Sequence, residues 1–366
     1  MSIIIFIVIL LVLVLVHEFG HFIVAKKSGI RVDEFAFGFP PKLFSVKKGE
    51  TTYSFNAIPF GGYVKIHGEN PDEESTTGID SSRSMVNKPR YTQALVLVAG
   101  VTFNLLLAWL LLSIGLMAGM PTLASNVPQG AVLVDPALRV TGVLKDSPAQ
   151  VAGIKSGDKI IALSDATNAK IEKPTEEQVR AFISAHTATS IEFTVENGKG
   201  TQTHTITPKK GILDTDAPAI GISMDVIGTV RESFGKAIWH GLKGTVSDTG
   251  NTAKGFGLLI AGAFKGTAHL DDVSGPVGIV GSVGDAARFG FGYLLSFAAL
   301  ISINLAIINL VPFPALDGGR LLFLLIEKIK GSRIKPQVAN MVNGIGFALL
   351  IILMIVITYH DIVRLL

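Results

Sequence analysis

Fourteen consecutive apolar residues, Ile3 to Val16, run without a break into His17-Glu18-Phe19-Gly20-His21, and few architectures can hold that junction. With Phe22 to Ala25 the segment passes the roughly 20 residues that cross a bilayer as a helix. An ionisable side chain at that depth costs about 3 kcal/mol unless a partner compensates it. Three of them within five residues point to a built site. At 3.6 residues per turn, His17 and His21 fall on one helical face. Their neutral ring nitrogens can then share one metal ion. Glu18, beside the first histidine, is placed to act as general base on a water that the metal activates. The competing reading puts these residues in the headgroup region, beyond the span, with no chemistry to perform.

The rest of the composition agrees with a membrane protein. Hydrophobic residues make up 48% of the 366 and charged residues 17%, with the apolar content gathered in a few long runs. A cleaved signal peptide is not expected, because no Lys or Arg precedes the first run and no small-residue site closes it. We expect a polytopic α-helical membrane protein with four transmembrane helices, at 1–25, 94–120, 293–319 and 342–362. The second carries Gly100, Asn104 and Gly115-x-x-x-Gly119, residues of the kind that pack helices together in lipid. The third stays apolar to Val311 and then meets Pro312 and Pro314. A net charge of +3, with no basic stripe, excludes nucleic acid as a partner. The chain has no cysteine, so disulfides, thiolate metal sites and thiol nucleophiles are excluded, and a metal must be held by His, Asp or Glu.

Lys and Arg set the expected orientation. Ten of them fall in 26–93 and five in 320–341, so both stretches are expected on the cytoplasmic side. Both termini and the long stretch between spans two and three then lie outside. Within 26–93, Arg31 to His67 alternates and turns like strands, at Phe35-Ala-Phe-Gly-Phe-Pro-Pro and Pro59-Phe-Gly61-Gly62-Tyr63-Val-Lys. Its dense aromatics suit a β element associated with the membrane face. Asn70 to Asn87, acidic and rich in Ser and Thr, is expected to be flexible. Residues 129–227 read as one inserted extracytoplasmic α/β module. A helix start falls at Asp146-Ser-Pro-Ala, a helix over Glu176 to Ala185, and a hairpin turning at Asn197-Gly198. The Gly-rich stretch 228–292 is expected as interfacial helices or an amphipathic juxtamembrane linker, and 320–341 as a cytoplasmic loop.

A tetrahedral catalytic metal wants a third protein ligand. The candidate is Asp317, in Asn309-Leu-Val-Pro-Phe-Pro-Ala-Leu-Asp-Gly-Gly-Arg, because the ends of spans one and three are expected on the same side. The alternative for Asp317 is an ordinary N-cap of a following helix. Asn309 and Asn104 are amides in apolar helices and commonly serve as packing glue. Asn309 could instead donate to a developing oxyanion.

These motifs together resemble the site-2 protease family of intramembrane metalloproteases, its bacterial RseP-type members above all. The matches are His17-Glu-Phe-Gly-His21, Gly61-Gly-Tyr-Val-Lys65, Gly100-Val-Thr-Phe-Asn104, Ser274-Gly-Pro-Val-Gly-Ile and Asn309-x-x-Pro-x-Pro-x-x-Asp317-Gly, in order along nearly the whole chain. The resemblance implies one catalytic Zn2+ held by His17, His21 and Asp317, with Glu18 as base; Asn309 and Asn104 are our candidates for supporting substrate or transition state. It implies that the β element, around Gly61, Gly62 and Tyr63, receives substrate as an added strand. The inserted module is then a PDZ-like domain that gates entry, single where some members carry two in tandem. Expected partners are the lipid bilayer and single-span membrane proteins, such as anti-sigma factors or remnant signal peptides, with an upstream site-1 protease acting on the same substrate. The expected setting is the bacterial inner membrane, with the active site near the cytoplasmic side. A scaffold working through the inserted module would have no use for a base beside two histidines. A metal transporter would carry ionisable residues in several spans.

Overall fold

The computed structural model describes residues 2–70, 73–167, 169–198, 200–212, 217–267 and 273–365. Helix α1 (Ser2–Lys27) leads into strands β1 (Val32–Lys48) and β2 (Thr51–Ile66), a short α2 (Glu73–Thr77) and α3 (Arg90–Ala118). An α/β region follows: β3 (Met120–Leu123), β4 (Leu133–Val143), α4 (Pro148–Val151), β5 (Lys159–Ser164), β6 (Lys170–Glu172), α5 (Glu176–Ala185), β7 (Ile191–Asn197), β8 (Gly200–Ile206) and β9 (Ile222–Val230). The chain ends in α6 (Phe234–Lys265), α7 (Pro276–Arg288), α8 (Phe291–Leu310), α9 (Asp317–Lys330) and α10 (Pro336–Leu365). Among the described residues, four helices are long and apolar enough to cross a membrane: Ser2–Lys27, Arg90–Ala118, Phe291–Leu310 and Pro336–Val363. The chain divides into two units, one of residues 1–113, 238–284 and 295–366, the other of 114–237 and 285–294.

In the first unit α1 and α3 approach closely, because a Cβ on Gly20 would stand 2.8 Å from the backbone carbon of Ala99. Small residues allow that approach, which brings His17, Gly20 and His21 of α1 against α3. The two strands that follow α1 are long and bend back on themselves. Residues 32–37 pair on one side with 62–66 and on the other with 52–55, while 42–48 pair with 51–56. The result is four antiparallel rows from two strands, with 62–66 as an edge row. Phe37 stacks on Phe55 at 4.2 Å and Phe44 on Phe55 at 5.1 Å, and the far end of the sheet exposes Leu43, Phe44 and Val46.

Several expectations change here. Within 70–87, residues 73–87 are not a loose tether, because they hold α2 and two short 3-10 turns, with Ser75, Ser84 and Met85 buried, while 71 and 72 lie outside the described residues. Ion pairs pin the segment: Arg31 meets Asp80 at 2.5 Å, and Arg83 meets Glu50 at 2.6 Å. Hydrophilic composition hid these specific partners. The third apolar helix stops at Leu310 rather than running to 319, since Pro312 and Pro314 cannot continue it. Much of 320–341 is helix rather than loop: α9 runs to Lys330, closed by left-handed Gly331, and α10 starts at Pro336. Of the two forms expected for 228–292, its described residues take the helical one, as α6 and α7. In this unit Trp109 Nε1 donates to the Ile238 carbonyl at 2.9 Å, seating α6 on α3. Asp361, buried in α10, accepts the backbone N–H groups of Gly275 at 3.2 Å and Gly278 at 2.8 Å, capping the start of α7.

The second unit is a seven-stranded antiparallel sheet of order β3-β9-β4-β5-β7-β8, with β6 paired to β5. Its core is Val140, Leu163, Val179, Phe193, Ile206 and Ile220, each 2% exposed or less. Helix α5 has a capping box, Thr175 and Gln178 exchanging side-chain and backbone bonds. Strand β3 falls where the second span was expected to end, at Met120.

Candidate metal centre and its cavity

Helix α1 presents His17 and His21 one turn apart, both 6% exposed. Their Nε2 atoms lie 3.2 Å from each other, and each lies close to Oδ2 of Asp317, at 3.1 Å from His17 and 3.2 Å from His21. Zinc–ligand bonds near 2.0–2.1 Å in a tetrahedron put neighbouring ligand atoms about 3.3 Å apart. Three lone-pair atoms in a near-equilateral triangle of that edge fit one zinc ion. Two of them are nitrogens and one a carboxylate oxygen, a set that suits zinc. Asp317 is not the N-cap of α9. Leu316 holds the cap position and Asp317 is the first helical residue, its carboxylate turned to the histidines.

The rings are oriented from behind. His21 Nδ1 donates to the Val96 carbonyl at 2.7 Å, which leaves Nε2 as the lone-pair atom. The amide of Asn104, fully buried, lies 3.2 Å from His17 Nδ1. The nearer amide atom is Nδ2, and the buried Oδ1 meets no partner. For His17 Nε2 to offer a lone pair, Nδ1 carries the proton, and the Asn104 amide turned over, its oxygen and nitrogen exchanged, supplies the oxygen that accepts it. Gly100 completes the back wall, where a Cβ would stand 2.7 Å from Cε1 of His17.

In front lies a cavity of about 380 Å³, lined by Val14, Glu18, Tyr63, Val64, Leu305 and Asn309 with the three ligand candidates. Glu18 Oε2 accepts the backbone N–H of Val64 at 2.9 Å, so the edge row of the sheet holds this carboxylate. Arg320 and Glu69, both on the cavity wall, form an ion pair.

The structure thus gathers His17, Glu18, His21, Asp317, Asn309 and Tyr63 around one cavity. Asn104 stands behind His17 and does not line it, so its expected contact with substrate or transition state gives way to a contact with the ring. Gly61 and Gly62 also lie off the cavity wall, packed near Val14 and Leu15 of α1. The sequence reading missed the Val64 N–H and the Val96 carbonyl, since backbone groups carry no residue-type signal. It also missed Arg320 and Glu69, whose pairing links positions distant in sequence.

Comparison with known proteins agrees with this geometry. The family model described as peptidase family M50 matches residues 5–353. The zinc metalloprotease RasP of Geobacillus kaustophilus is 33% identical over 99% of this chain and 97% of its own length. The regulator of sigma-W protease RasP of Bacillus subtilis is 30% identical over 100% of this chain and 99% of its own. With four apolar helices of spanning length, this chain belongs to peptidase family M50, the site-2 proteases, and is a multi-pass zinc metalloprotease of intramembrane proteolysis.

Proposed function

We propose that the chain cuts single-span membrane proteins, such as anti-sigma factors or remnant signal peptides, within or beside their spans. The observation that carries the reading is the triangle of His17, His21 and Asp317 with Glu18 at the same cavity, on a helix apolar enough to lie in lipid. The name of the Bacillus subtilis relative, a regulator of sigma-W, supports the anti-sigma class of substrate.

His17, His21 and Asp317 would hold the zinc. When bound, zinc supplies Lewis acidity, polarising a carbonyl and bringing the pKa of a water towards 7 where bulk hydroxide is scarce. Glu18 takes a proton from the attacking water and returns it to the departing amine nitrogen, so its proton balance closes over one turnover. The Val64 N–H keeps its carboxylate aimed. Asn309 donates its amide N–H to the oxyanion that develops on the scissile carbonyl. Asn104 and the Val96 carbonyl hold the two imidazoles in the tautomer that leaves Nε2 as ligand.

Edge row 62–66 is proposed to take the substrate as an added strand, with Tyr63 beside it. A helical span offers no free amide, so substrates must unwind locally, and helix-breaking residues near the cut site should speed cleavage. The α/β unit is proposed as a PDZ-like domain that gates entry, admitting substrates already trimmed by a site-1 protease. The distribution of Lys and Arg supports the bacterial inner membrane with both termini and this unit outside and the active site towards the cytoplasm.

The test compares wild type with Glu18→Gln on a purified single-span substrate in detergent, with zinc content measured for both. Loss of cleavage by about 1,000-fold with zinc retained is the expected outcome. Equal cutting by the two proteins would remove Glu18 from this role.

A further inference from the structure

Asp317 reaches the histidines from a loop with little regular structure, since α8 ends at Leu310 and α9 begins at Asp317 itself. Two residues before it, Ala315 sits at φ 74°, in the left-handed region that residues with a Cβ adopt reluctantly. A segment so shaped needs holding from outside.

The hold comes from α10. Oδ1 of Asn343 accepts the backbone N–H of Ala315 at 3.2 Å. Gly346, nearly one turn on and on the same face, is buried against Pro314, where a Cβ would stand 2.7 Å from the Pro314 carbonyl oxygen. Otherwise α10 is bound loosely. Among its described residues, Gly346 and Asp361 are the two that are buried. Asp361, about four turns beyond Gly346, is fixed by the N–H groups of Gly275 and Gly278. The helix therefore has a set height, and one of its two seats is the loop that delivers Asp317. This also gives Ser274-Gly-Pro-Val-Gly-Ile a purpose, because a Cβ on Gly275 would stand 2.7 Å from the Asp361 carboxylate.

We propose that Asn343 is a positioning residue for the metal centre: by fixing Ala315 it sets the Asp317 carboxylate against His17 and His21. An amide in an apolar span ordinarily joins another helix. Here its partner is a backbone N–H in a helix break, a donor that lipid cannot satisfy. The inference rests on reading Asp317 as a zinc ligand.

The test is zinc affinity of the full-length, detergent-solubilised protein, read by competition with a chromophoric chelator. Asn343→Leu, which removes the acceptor, is expected to weaken zinc 10- to 100-fold, as lost outer partners of metal ligands do. Asn343→Asp, which keeps an acceptor oxygen, should stay within about threefold of wild type. In an Asp317→Ala background, Asn343→Leu should cost nothing further. Wild-type affinity in Asn343→Leu, or the same weakening with and without Asp317, would overturn the proposal. If Asn343→Leu does not yield folded protein, Asn343→Ser takes its place with the same two requirements. Should Asp317→Ala alone leave zinc affinity unchanged, the ligand reading itself falls, an outcome distinct from failure of Asn343.

Discussion

Helices α1 and α5 are stabilised by opposite rules. On α5, Val179, Phe182 and Ile183 turn inward while Glu176 and Arg180 pair in water, an ordinary amphipathic helix over an apolar core. On α1 the buried set includes His17, Gly20 and His21, while Ile3, Ile4, Val8 and Val12 face outward. In the α/β unit, removal of apolar surface from water holds the structure. Lipid offers no such drive between helices, so close approach of small residues and satisfied polar groups take over. The difference teaches where a substitution should hurt: lost volume in one unit, an added methyl or a lost partner in the other.

The largest effect should come from the apolar core. Phe193→Ala is expected to destabilise the α/β unit by about 3–5 kcal/mol, read as lost hydrogen-exchange protection of β7 and β8. Zinc affinity should not change; if it falls with the core, the two regimes are not separate. Next is a methyl added in the other unit. Gly100→Ala presses on the imidazoles and should weaken zinc 10- to 100-fold, with the α/β unit's exchange untouched. Tolerance of this change would mean that helices α1 and α3 separate easily, and the close-packing rule would fail. Asn104→Leu should weaken zinc about tenfold through the lost hold on His17 Nδ1, and an unaltered affinity would leave Asn104 as mere packing.

The smallest effect is a pH response in the α/β unit. Bonds from Thr167 first, and from His186, hold the Asp165 carboxyl down at about 2. The carbonyl of Phe182, and then Asp165, raise the imidazole of His186 above its usual value. Stability from Asp165 is present above the ordinary carboxylate range and lost as pH falls towards 2. Stability from His186 is complete below the ordinary histidine value and is lost as pH rises through the raised one. His186→Gln should flatten the alkaline limb in thermal melts; an unchanged limb would assign it to another group.

The same contrast explains what could be read from the chain. In the α/β unit local signals were informative: the helix expected over Glu176 to Ala185 is α5, and the Asn197-Gly198 turn joins β7 and β8. Among the apolar helices, length was legible and rotation was not, because Ile, Leu and Val on every side of α1 leave no stripe. His17, His21 and Asp317 could be named because ionisable residues stand out against lipid. The ordering of 73–87 depends on Arg31 meeting Asp80 and Arg83 meeting Glu50 across the fold, which local composition does not encode. Asn343 carries no signal in the sequence, because its partner is a backbone N–H in a distant helix break.

The bond between Glu18 and the Val64 N–H makes a sheet's register a condition for chemistry. Alternate residues of a strand turn opposite ways, so a slip of one position in row 62–66 would rotate that donor away and carry Tyr63 to the other face. The irregular pairing at 37–42, where the rows bend, therefore does more than shape the hairpin. It counts residues, and an insertion of one amino acid far along the sheet should release the carboxylate proposed as base without touching any of the three proposed metal ligands.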